Sequence, residues 1–421
     1  MNPKQFIRYF LYVGVCMFAI FAQAEADTLA DAKRAYAAGE YLNAAKLFRS
    51  LAAKGDATAQ TSLGTMYYSG QGVAEDYDEA AKWYRAAAEH GNAFAQHNLG
   101  VMYENGQGVH QDYKAAMKWY RLAAEQNNAQ SQHHIGWLYN KGHGVRQDFE
   151  EAVKWYQLSA AQGYAPAQFS LGEMYENGNG VPRDFPESVK WYRLAAERGD
   201  TSAGYSLGIL YENGNGVPKD YKEALKWYRQ AAEKGNSYAQ HNLGAMYAQG
   251  QGVPQDYKEA LKWYMRAAEQ GNTFAQYAVG MIYDNGQGVP QNYNEAIKWY
   301  RQAAEQGDAL AQYNLGMMYA QGQGVQQNFK DAAKWYRLAA EQADSLAQYI
   351  LAVMYESGQG VPQDYVLAYM WANIAAASAA GEELDKLVKF RDALSKEMTA
   401  KQIAESQSLT RKCTANKFKG C

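Results

Sequence analysis

Two features of this chain could take part in chemistry: a Gly-x-Gly pair that recurs along its length, and a group of histidines. A pair such as Gly106-Gln107-Gly108 would suit a phosphate if it followed a strand and if a third glycine completed the dinucleotide-binding pattern. Here the pair follows a predicted helix, the third glycine is missing, and no Gly-Lys-Ser/Thr segment occurs. The glycines are therefore interpreted as helix terminators, and no cofactor is expected.

The seven histidines raise the question of a metal site, above all His133-His134 with His143. Adjacent residues on a helix point in different directions, and no cysteine or acid at the usual spacing completes a zinc set. His97 and His133 occupy equivalent positions in neighbouring repeats, about 10 Å apart if the helices pack at ordinary spacing. We therefore predict no metal site.

The first 24 residues have the pattern of a secretory signal peptide. Lys4 and Arg8 give a basic start, residues 10–21 form a short apolar run, and Ala22-Gln23-Ala24 is a small-x-small cleavage site. No later segment is apolar enough over a sufficient length to span a membrane. Cleavage near Ala24 predicts a mature chain in the periplasm, or one that is secreted or held at the cell surface.

Removal of that segment leaves two cysteines, Cys413 and Cys421. An even count in an exported chain favours a disulfide, which we predict between them as a staple for the C-terminus. With both thiols paired, no cysteine nucleophile remains, and no serine lies in a nucleophile-elbow sequence. The chain is therefore predicted not to be an enzyme.

A repeated unit must position all these residues. Tryptophan recurs every 36 residues, and an unbroken period of this length is typical of a repeat array. The nine positions are Trp83, Trp119, Trp155, Trp191, Trp227, Trp263, Trp299, Trp335 and Trp371.

Each unit has the pattern of two helices. In one copy, Ala95, Leu99 and Met102 stand at helical spacing, and Gly106 ends this first helix in the left-handed conformation. Aspartate or asparagine then opens the second helix as its N-cap, and an acid three residues later, as in Asp148/Glu151, predicts a capping box.

Two further expectations concern glycine. Gly100, which recurs in nearly every copy, is predicted to let the neighbouring helix approach closely. Asn127 and Ala343 stand where the other repeats have a glycine after the second helix, so these two corners are predicted to be wound differently.

These residues resemble the Sel1-like repeat, a relative of the tetratricopeptide repeat with a longer, glycine-bearing turn. The resemblance covers residues 57–380 in nine copies and implies an all-α fold, a right-handed α-solenoid superhelix of stacked helix-turn-helix repeats. Residues 27–56 resemble one shorter tetratricopeptide-type hairpin. Residues 381–412 are predicted to form capping helices, and residues 413–421 a tail that holds the predicted disulfide.

The variable positions of the first helix are where partner recognition is predicted. Alignment with the tetratricopeptide pattern places the positions equivalent to 94, 97, 101, 104 and 105 on one face of that helix, as a groove. This groove is aromatic, apolar and mildly acidic, with Lys141 as its basic member. The 97-type tyrosines also have a second interpretation, in which they pack between adjacent helices. The candidate partner-binding residues are Phe94, His97, His133, Trp137, Phe169, Glu173, Tyr205, Tyr238, His241, Phe274, Tyr277, Met281, Tyr313, Met317 and Tyr349.

The groove composition favours a protein or peptide partner with apolar anchors and some basic residues. A net charge of −3, evenly interspersed, gives no reason to expect nucleic acid. The resemblance implies an exported, non-enzymatic scaffold or adaptor. The alternatives are a cell-wall protein that is penicillin-binding, β-lactamase-like or peptidoglycan-binding, and a secreted factor that binds a host protein. Relatives with a β-lactamase label have a disulfide in each repeat, whereas the repeats of this chain contain no cysteine.

Overall fold

The computed structural model describes residues 28–421, which form 22 helices and contain no strand. The predicted signal peptide lies outside these described residues. In chain order the helices are α1 (28–37), α2 (Tyr41–Ala52), α3 (Ala57–Ser69), α4 (Tyr77–Glu89), α5 (Ala93–Asn105), α6 (Tyr113–Ala124), α7 (Ala129–Lys141), α8 (Phe149–Ala161), α9 (Ala165–Asn177), α10 (Phe185–Glu197), α11 (Thr201–Asn213), α12 (Tyr221–Glu233), α13 (Ser237–Gln249), α14 (Tyr257–Glu269), α15 (Thr273–Asn285), α16 (Tyr293–Glu305), α17 (Ala309–Gln321), α18 (Phe329–Ala340), α19 (Ser345–Ser357), α20 (Tyr365–Ser378), α21 (Gly381–Lys396) and α22 (Ala400–Ala415).

The contacts divide the chain into two units. Unit 1 comprises the described residues up to Ala203 together with Asn215–Val217, and unit 2 comprises Gly204–Gly214 and Pro218–Cys421. In each unit, helices that follow one another in the chain pack together, as α5 does on α6 and α15 on α16. We call the odd-numbered helices α3 to α19 the first helices of the nine repeats, and the even-numbered α4 to α20 the second helices. The prediction of an all-α fold built from stacked helix-turn-helix repeats is confirmed.

The helix ends follow the predicted chemistry. Gly106 adopts φ 70° and its N–H donates to the Met102 carbonyl, which ends α5. Asp112 caps α6, since its Oδ1 accepts hydrogen bonds from the backbone N–H groups of Lys114 and Ala115 at 2.8 and 3.1 Å. These bonds use N–H groups that have no partner within the helix, so the helix boundary is set locally.

The capping-box prediction for the second helices is wrong. The Asp148 side chain does accept a bond from Glu151 N, at 3.0 Å, but the Glu151 carboxylate binds Lys154 Nζ at 2.6 Å. The reciprocal bond has no free donor, because the Asp148 backbone N–H already donates to the Tyr139 carbonyl of the first helix at 3.0 Å. This backbone bond recurs in every repeat and fixes the turn between the two helices. A reciprocal capping box does form between Thr399 and Gln402, where it opens α22.

Close packing within a repeat depends on the helical glycine. A Cβ added at Gly100 would lie 2.6 Å from Tyr120 Cε1 of the second helix, so any side chain there would displace a fully buried ring. The predicted close approach is confirmed, and the partner is a tyrosine side chain. Equivalent contacts join Gly136 to Tyr156 and Gly280 to Tyr300.

A buried glutamine links neighbouring repeats. Gln96 lies in α5, and its Nε2 donates to the Ala88 carbonyl of α4 at 3.1 Å. Its Oε1 accepts a bond at 2.9 Å from Gln126, just beyond the end of α6. One side chain thus connects three helices, and burial makes each bond costly to lose. Gly204 replaces this glutamine in α11, the helix in which the boundary between the units falls.

The two corners without glycine keep the left-handed conformation of the other corners and differ from most of them in the length of the preceding helix. Asn127 and Ala343 adopt φ 60° and 68°, the left-handed conformation in which most repeats have glycine. The preceding helices α6 and α18 are 12 residues long, whereas most second helices have 13. A left-handed alanine is strained, because its Cβ crowds the backbone.

Replacing Ala343 by glycine should therefore stabilise this corner by about 1 kcal/mol. Glycine removes the Cβ crowding, and the equivalent Gly307 adopts φ 94° with open space around it. Slower amide exchange at the start of α19, with an unchanged circular dichroism spectrum, would be the expected result. Faster exchange would contradict the strain argument.

Two helices follow the last repeat, as α21 and α22, and both pack on α20. Helix α22 continues to Ala415, past the predicted boundary at residue 412. The Cα atoms of Cys413 and Cys421 lie 5.7 Å apart, a separation that suits a disulfide between the end of α22 and the last residue. Within residues 28–421 no helix has the length and apolar character needed to cross a membrane.

Candidate binding surface

The variable positions of the first helices form a face that we call the first-helix face, defined by the positions equivalent to 94, 97, 101, 104 and 105. The 94-type side chains stand at the start of each first helix and project into solvent. Five of them are large and apolar and are 48–58% exposed: Phe94 in unit 1, and Tyr238, Phe274, Leu310 and Leu346 in unit 2. Three of these five belong to the predicted set, whereas Leu310 and Leu346 do not. The two leucines occupy the same position of the repeat, but an aromatic pattern does not include them.

The 97-type side chains lie deeper. The Tyr277 ring packs on the buried Tyr300 of its own repeat, with centroids 5.7 Å apart, and Phe169 packs on Tyr192 in the same way at 5.5 Å. These rings are half-buried, so their inner faces pack between helices while their outer edges stay accessible. Tyr205, His241 and Tyr313 occupy this position in their repeats, and Tyr349, the last member, is 39% exposed.

Rings of neighbouring repeats meet along the face of unit 2. Tyr205 lies 5.8 Å from Tyr238 of the next repeat, and His241 lies 6.0 Å from Phe274. Each contact joins a half-buried 97-type ring to an exposed 94-type ring. The exposed rings of Tyr238 and Phe274 are therefore each packed against a half-buried ring of the preceding repeat.

The remaining predicted residues are distributed as follows. Met281 and Met317 are half-buried, and Glu173 is exposed. Trp137 is also half-buried, with its ring 5.2 Å from the His143 ring, which in turn stacks on Tyr113 at 4.7 Å. His143 belongs to the Gly-x-Gly turn, so Trp137 packs against that turn.

The 104-type acids are anchored by tyrosines of the second helices. The Tyr228 hydroxyl donates to Glu212 at 2.7 Å, and the Tyr300 hydroxyl donates to Asp284 at 3.1 Å. Burial raises the pKa of both tyrosines, and the neighbouring carboxylates raise it further. Each acid therefore keeps a fixed position at the edge of the first-helix face.

Charge is segregated between the helices of a repeat. The first helices contain one lysine or arginine, Lys141, whereas the second helices contain most of the cations in the repeats. Several of those cations are neutralised locally, as in Lys262 with Glu259 at 2.9 Å and Lys190 with Glu187 at 2.8 Å. The first-helix face is consequently apolar and acidic.

The structure brings three histidines of unit 1 together, which the sequence argument did not foresee. The His134 ring lies 5.4 Å from the His97 ring and 5.8 Å from the His133 ring. His133 and His134 pack on different neighbours, in agreement with the expectation that adjacent residues point in different directions: His134 stacks on Tyr120 of the preceding repeat at 4.9 Å, and His133 lies 5.4 Å from Tyr156 of its own repeat.

Hydrogen bonds engage this histidine group. His134 Nδ1 lies 3.1 Å from Glu104 Oε2, and His97 Nδ1 lies 3.0 Å from Ser131 Oγ. Burial acts to raise the pKa of Glu104, but the bonds from His134 and Tyr120 outweigh it and hold that pKa below its usual range. His97 is buried and is therefore left out of the surface proposed below. Within residues 28–421 no three potential ligands are placed to hold a metal ion.

Acidification should destabilise the protein through its buried histidines. Burial lowers the pKa of His97, His133 and His241 to about 4, from an ordinary value of 6.5. Between these values the unfolded chain binds protons that the folded chain does not. The contribution of these histidines to the free energy of unfolding is therefore fully present above pH 6.5. It falls as the pH drops towards 4, by about 2 kcal/mol per histidine at pH 5.

Urea unfolding at pH 7 and pH 5 measures this effect. His241→Tyr is a matched variant, because Tyr277 and Tyr313 occupy the same position in the next two repeats. The variant should lose less stability than the original chain between the two pH values. An equal loss would show that His241 does not contribute.

Comparison with known proteins agrees with this architecture. The family model for the Sel1 repeat matches residues 57–92, 93–128, 129–164, 165–200, 202–236, 237–272, 273–308, 309–344 and 345–379. A protective antigen present in uropathogenic Escherichia coli strains, which displays an SLR fold, is 33% identical with a TM-score of 0.50 over 87% of this chain and 94% of the antigen. A Sel1 repeat protein from Oxalobacter formigenes is 39% identical with a TM-score of 0.55 over 57% of this chain and 99% of that protein. A search of curated proteins finds no match.

Proposed function

Because this chain belongs to the Sel1 repeat family, whose members are generally protein-interaction scaffolds, we propose that it binds a protein partner on its first-helix face. One observation carries the proposal. Residues 28–421 contain eight exposed large hydrophobic side chains, and five of them stand on this face within unit 2: Tyr238, Phe274, Leu310, Leu346 and Tyr349; a sixth, Phe94, occupies the same helix position in unit 1. Exposed apolar side chains that cluster on one face, instead of scattering, mark an interaction site.

The partner is expected to offer apolar side chains and basic residues. Exposed aromatic rings are effective anchors, since they bury a large area with few rotatable bonds. The acids at the edge of the face, such as Glu212 and Asp284, favour a partner that carries lysine or arginine.

We further propose that the scaffold is exported and works in the periplasm or at the cell surface. The signal-like pattern of residues 1–24 supports this location, and so does the placement of Cys413 and Cys421 at a separation that suits a disulfide, since disulfides persist in oxidising compartments. Non-reducing mass spectrometry of the protein isolated from its own cells would test both points. A chain that begins at Met1 with free thiols would contradict them.

Catalysis is not part of the proposal. The family fold is typically a scaffold, and the titratable groups described above are spread over several repeats or satisfied by hydrogen bonds. Turnover of nitrocefin by the pure protein, or covalent labelling by a fluorescent penicillin, would contradict this and would favour the cell-wall alternative.

Site-specific photocrosslinking in the cells that make the protein tests the binding face. We would place benzoylphenylalanine at position 94 or 274 on first helices, and at position 158 on α8 as a control. Leu158 is 52% exposed, like Phe94 and Phe274, but it belongs to a second helix. The same partner should crosslink from both first-helix positions and not from position 158. Equal crosslinking from all three would overturn the assignment of the face.

A further inference from the structure

One part of the first-helix face is unlike the rest. Tyr238, Phe274, Leu310 and Leu346 stand at the same position in four consecutive repeats of unit 2, and we call them the unit-2 strip. All four are 50–58% exposed. In unit 1 the equivalent residues are Thr58, Phe94, Gln130, Pro166 and Ser202.

We propose that the unit-2 strip binds an extended peptide segment with an apolar side chain at every third residue and lysine or arginine between them. This inference rests on the proposed function and specifies the chemistry and conformation of the partner. It also predicts that unit 1 does not recognise the same segment.

The contrast between the units supports this division. The 94-type column of unit 1 is mostly small or polar, so a chain lying along it would find a single large apolar contact, at Phe94. In unit 2 four successive contacts are present. The repeats otherwise share their buried residues and helix lengths, so packing does not demand an apolar side chain at this exposed position.

The spacing of the strip argues for every third residue. Equivalent positions of neighbouring repeats are about 10 Å apart when helices pack at ordinary distances. An extended or polyproline-type chain advances about 3.1–3.3 Å per residue, so three residues span one repeat. In the polyproline conformation every third side chain also points the same way, which places successive anchors on successive repeats.

The width of the strip argues against a helical partner. Beside Phe274 and Leu310 the strip is one exposed side chain wide, because the adjacent 97-type residues Tyr277 and Tyr313 are half-buried against second-helix tyrosines; only at its end does a 97-type ring, Tyr349, reach 39% exposure. An amphipathic helix presents an apolar stripe at least about 100° wide, and it would need a broader apolar floor. An extended chain matches a single row.

The charges beside the strip require basic residues in the partner. The first helices of unit 2, α11 to α19, contain no lysine or arginine. Burial raises the pKa of Tyr277, and the negative charges of Asp308, Asp284 and Asp344 raise it further. Asp308 and Asp344 each stand two residues before a leucine of the strip, Leu310 and Leu346.

These aspartates are not needed as charges for folding. Asp308 and Asp344 cap α17 and α19 through Oδ1, and the neutral Asn236 and Asn272 cap α13 and α15 in the same way. Asparagine would therefore preserve the cap. The negative charge is available for a partner.

The probe for the test is a fluorescent 12-residue peptide that repeats leucine–lysine–proline, measured by fluorescence anisotropy with the whole protein. The first variant combines Phe274→Gln, Leu310→Gln and Leu346→Gln, which copies the glutamine at position 130. It should bind at least about tenfold more weakly. The second combines Asp284→Asn, Asp308→Asn and Asp344→Asn. It should bind several-fold more weakly at low salt, and the difference should disappear in about 0.5 M salt.

Leu158→Gln is the matched control, since it makes the same change at a leucine of similar exposure that lies on a second helix, and it should leave the affinity unchanged. A peptide with serine in place of leucine, or glutamate in place of lysine, should not bind. The inference is overturned if these peptides bind equally well, or if Leu158→Gln weakens binding as much as the triple glutamine variant. Circular dichroism confirms that each variant is folded.

The outcome also separates this inference from the proposed function. If the leucine–lysine–proline peptide fails to bind while positions 94 and 274 still crosslink one partner, the face binds a protein of different chemistry. If position 158 crosslinks as well as positions 94 and 274, the assignment of the face itself is wrong.

Discussion

Replacing Gly108 by alanine is expected to destabilise unit 1 by roughly 2–4 kcal/mol, and to loosen the contact between neighbouring repeats. Gly108 is the second glycine of its Gly-x-Gly pair and has φ 64°. A Cβ there would lie 2.0 Å from the backbone oxygen of Tyr77, the first residue of α4 in the preceding repeat. Because the obstacle is backbone, a rotamer change cannot relieve it. The turn must move away from α4.

Gly91→Ala is the matched control. Gly91 has φ 85°, also left-handed, but no heavy atom lies within 4 Å of the position of its Cβ. It should cost about 1 kcal/mol, from backbone strain alone. Hydrogen exchange at the start of α4 separates the two effects, since Gly108→Ala should accelerate it far more than Gly91→Ala. Equal acceleration would mean that the close approach to Tyr77 is not important.

Replacing Trp371 by alanine is expected to cost about 3–5 kcal/mol and to release the C-terminal helices. Trp371 is fully buried in α20, the helix on which α19, α21 and α22 all pack. Its core also includes Leu394 of α21 and Cys413 of α22. Alanine would leave a cavity where these helices meet. Because α21 and α22 are held by their packing on α20, the cavity would weaken the contacts that keep them in place.

Trp335→Ala is the comparison for this prediction. Trp335 occupies the same repeat position but is only half-buried, so its loss should cost less. Thermal unfolding gives the overall effect, and limited proteolysis of residues 381–421 shows whether α21 and α22 are released. Protection of that segment in Trp371→Ala would contradict the assignment of this ring as the base of the C-terminal packing.

Much of the fold could be predicted, because its determinants are close together in the chain. The left-handed Gly106, the N-cap Asp112 and the spacing of Leu99 and Met102 act within one or two helical turns. Repetition then multiplies a weak local signal, since nine copies show the same pattern. The two corners that lack glycine, at Asn127 and Ala343, could be recognised for the same reason.

The candidate surface was only partly predictable. The position of a residue in the repeat predicted which face of the first helix it lies on. It did not predict which side chains of that face are exposed to solvent. Leu310 and Leu346 were missed, and His97, which was included, is buried against Ser131. A side chain's exposure depends on the repeat stacked beside it, and a single repeat does not contain that information.

The capping-box error has the same origin. The pattern Asp148/Glu151 satisfies the local rule, yet the Asp148 N–H is already bonded to the Tyr139 carbonyl of the first helix. Once the two helices pair, the acid is left to bind Lys154. A contact between helices thus removed the donor that the local pattern required.

By itself the sequence determined the period, the two helices of each repeat, their ends and the face that varies, since these depend on interactions between residues a few positions apart. The tertiary structure alone decided which glutamines join three helices, why the second glycine of each pair is needed, how His97, His133 and His134 meet, and that four apolar side chains of unit 2 stand exposed in a row. Those contacts join residues about one repeat apart in the chain, so they exist only after the helices have stacked and the geometry of stacking has chosen which side chains touch.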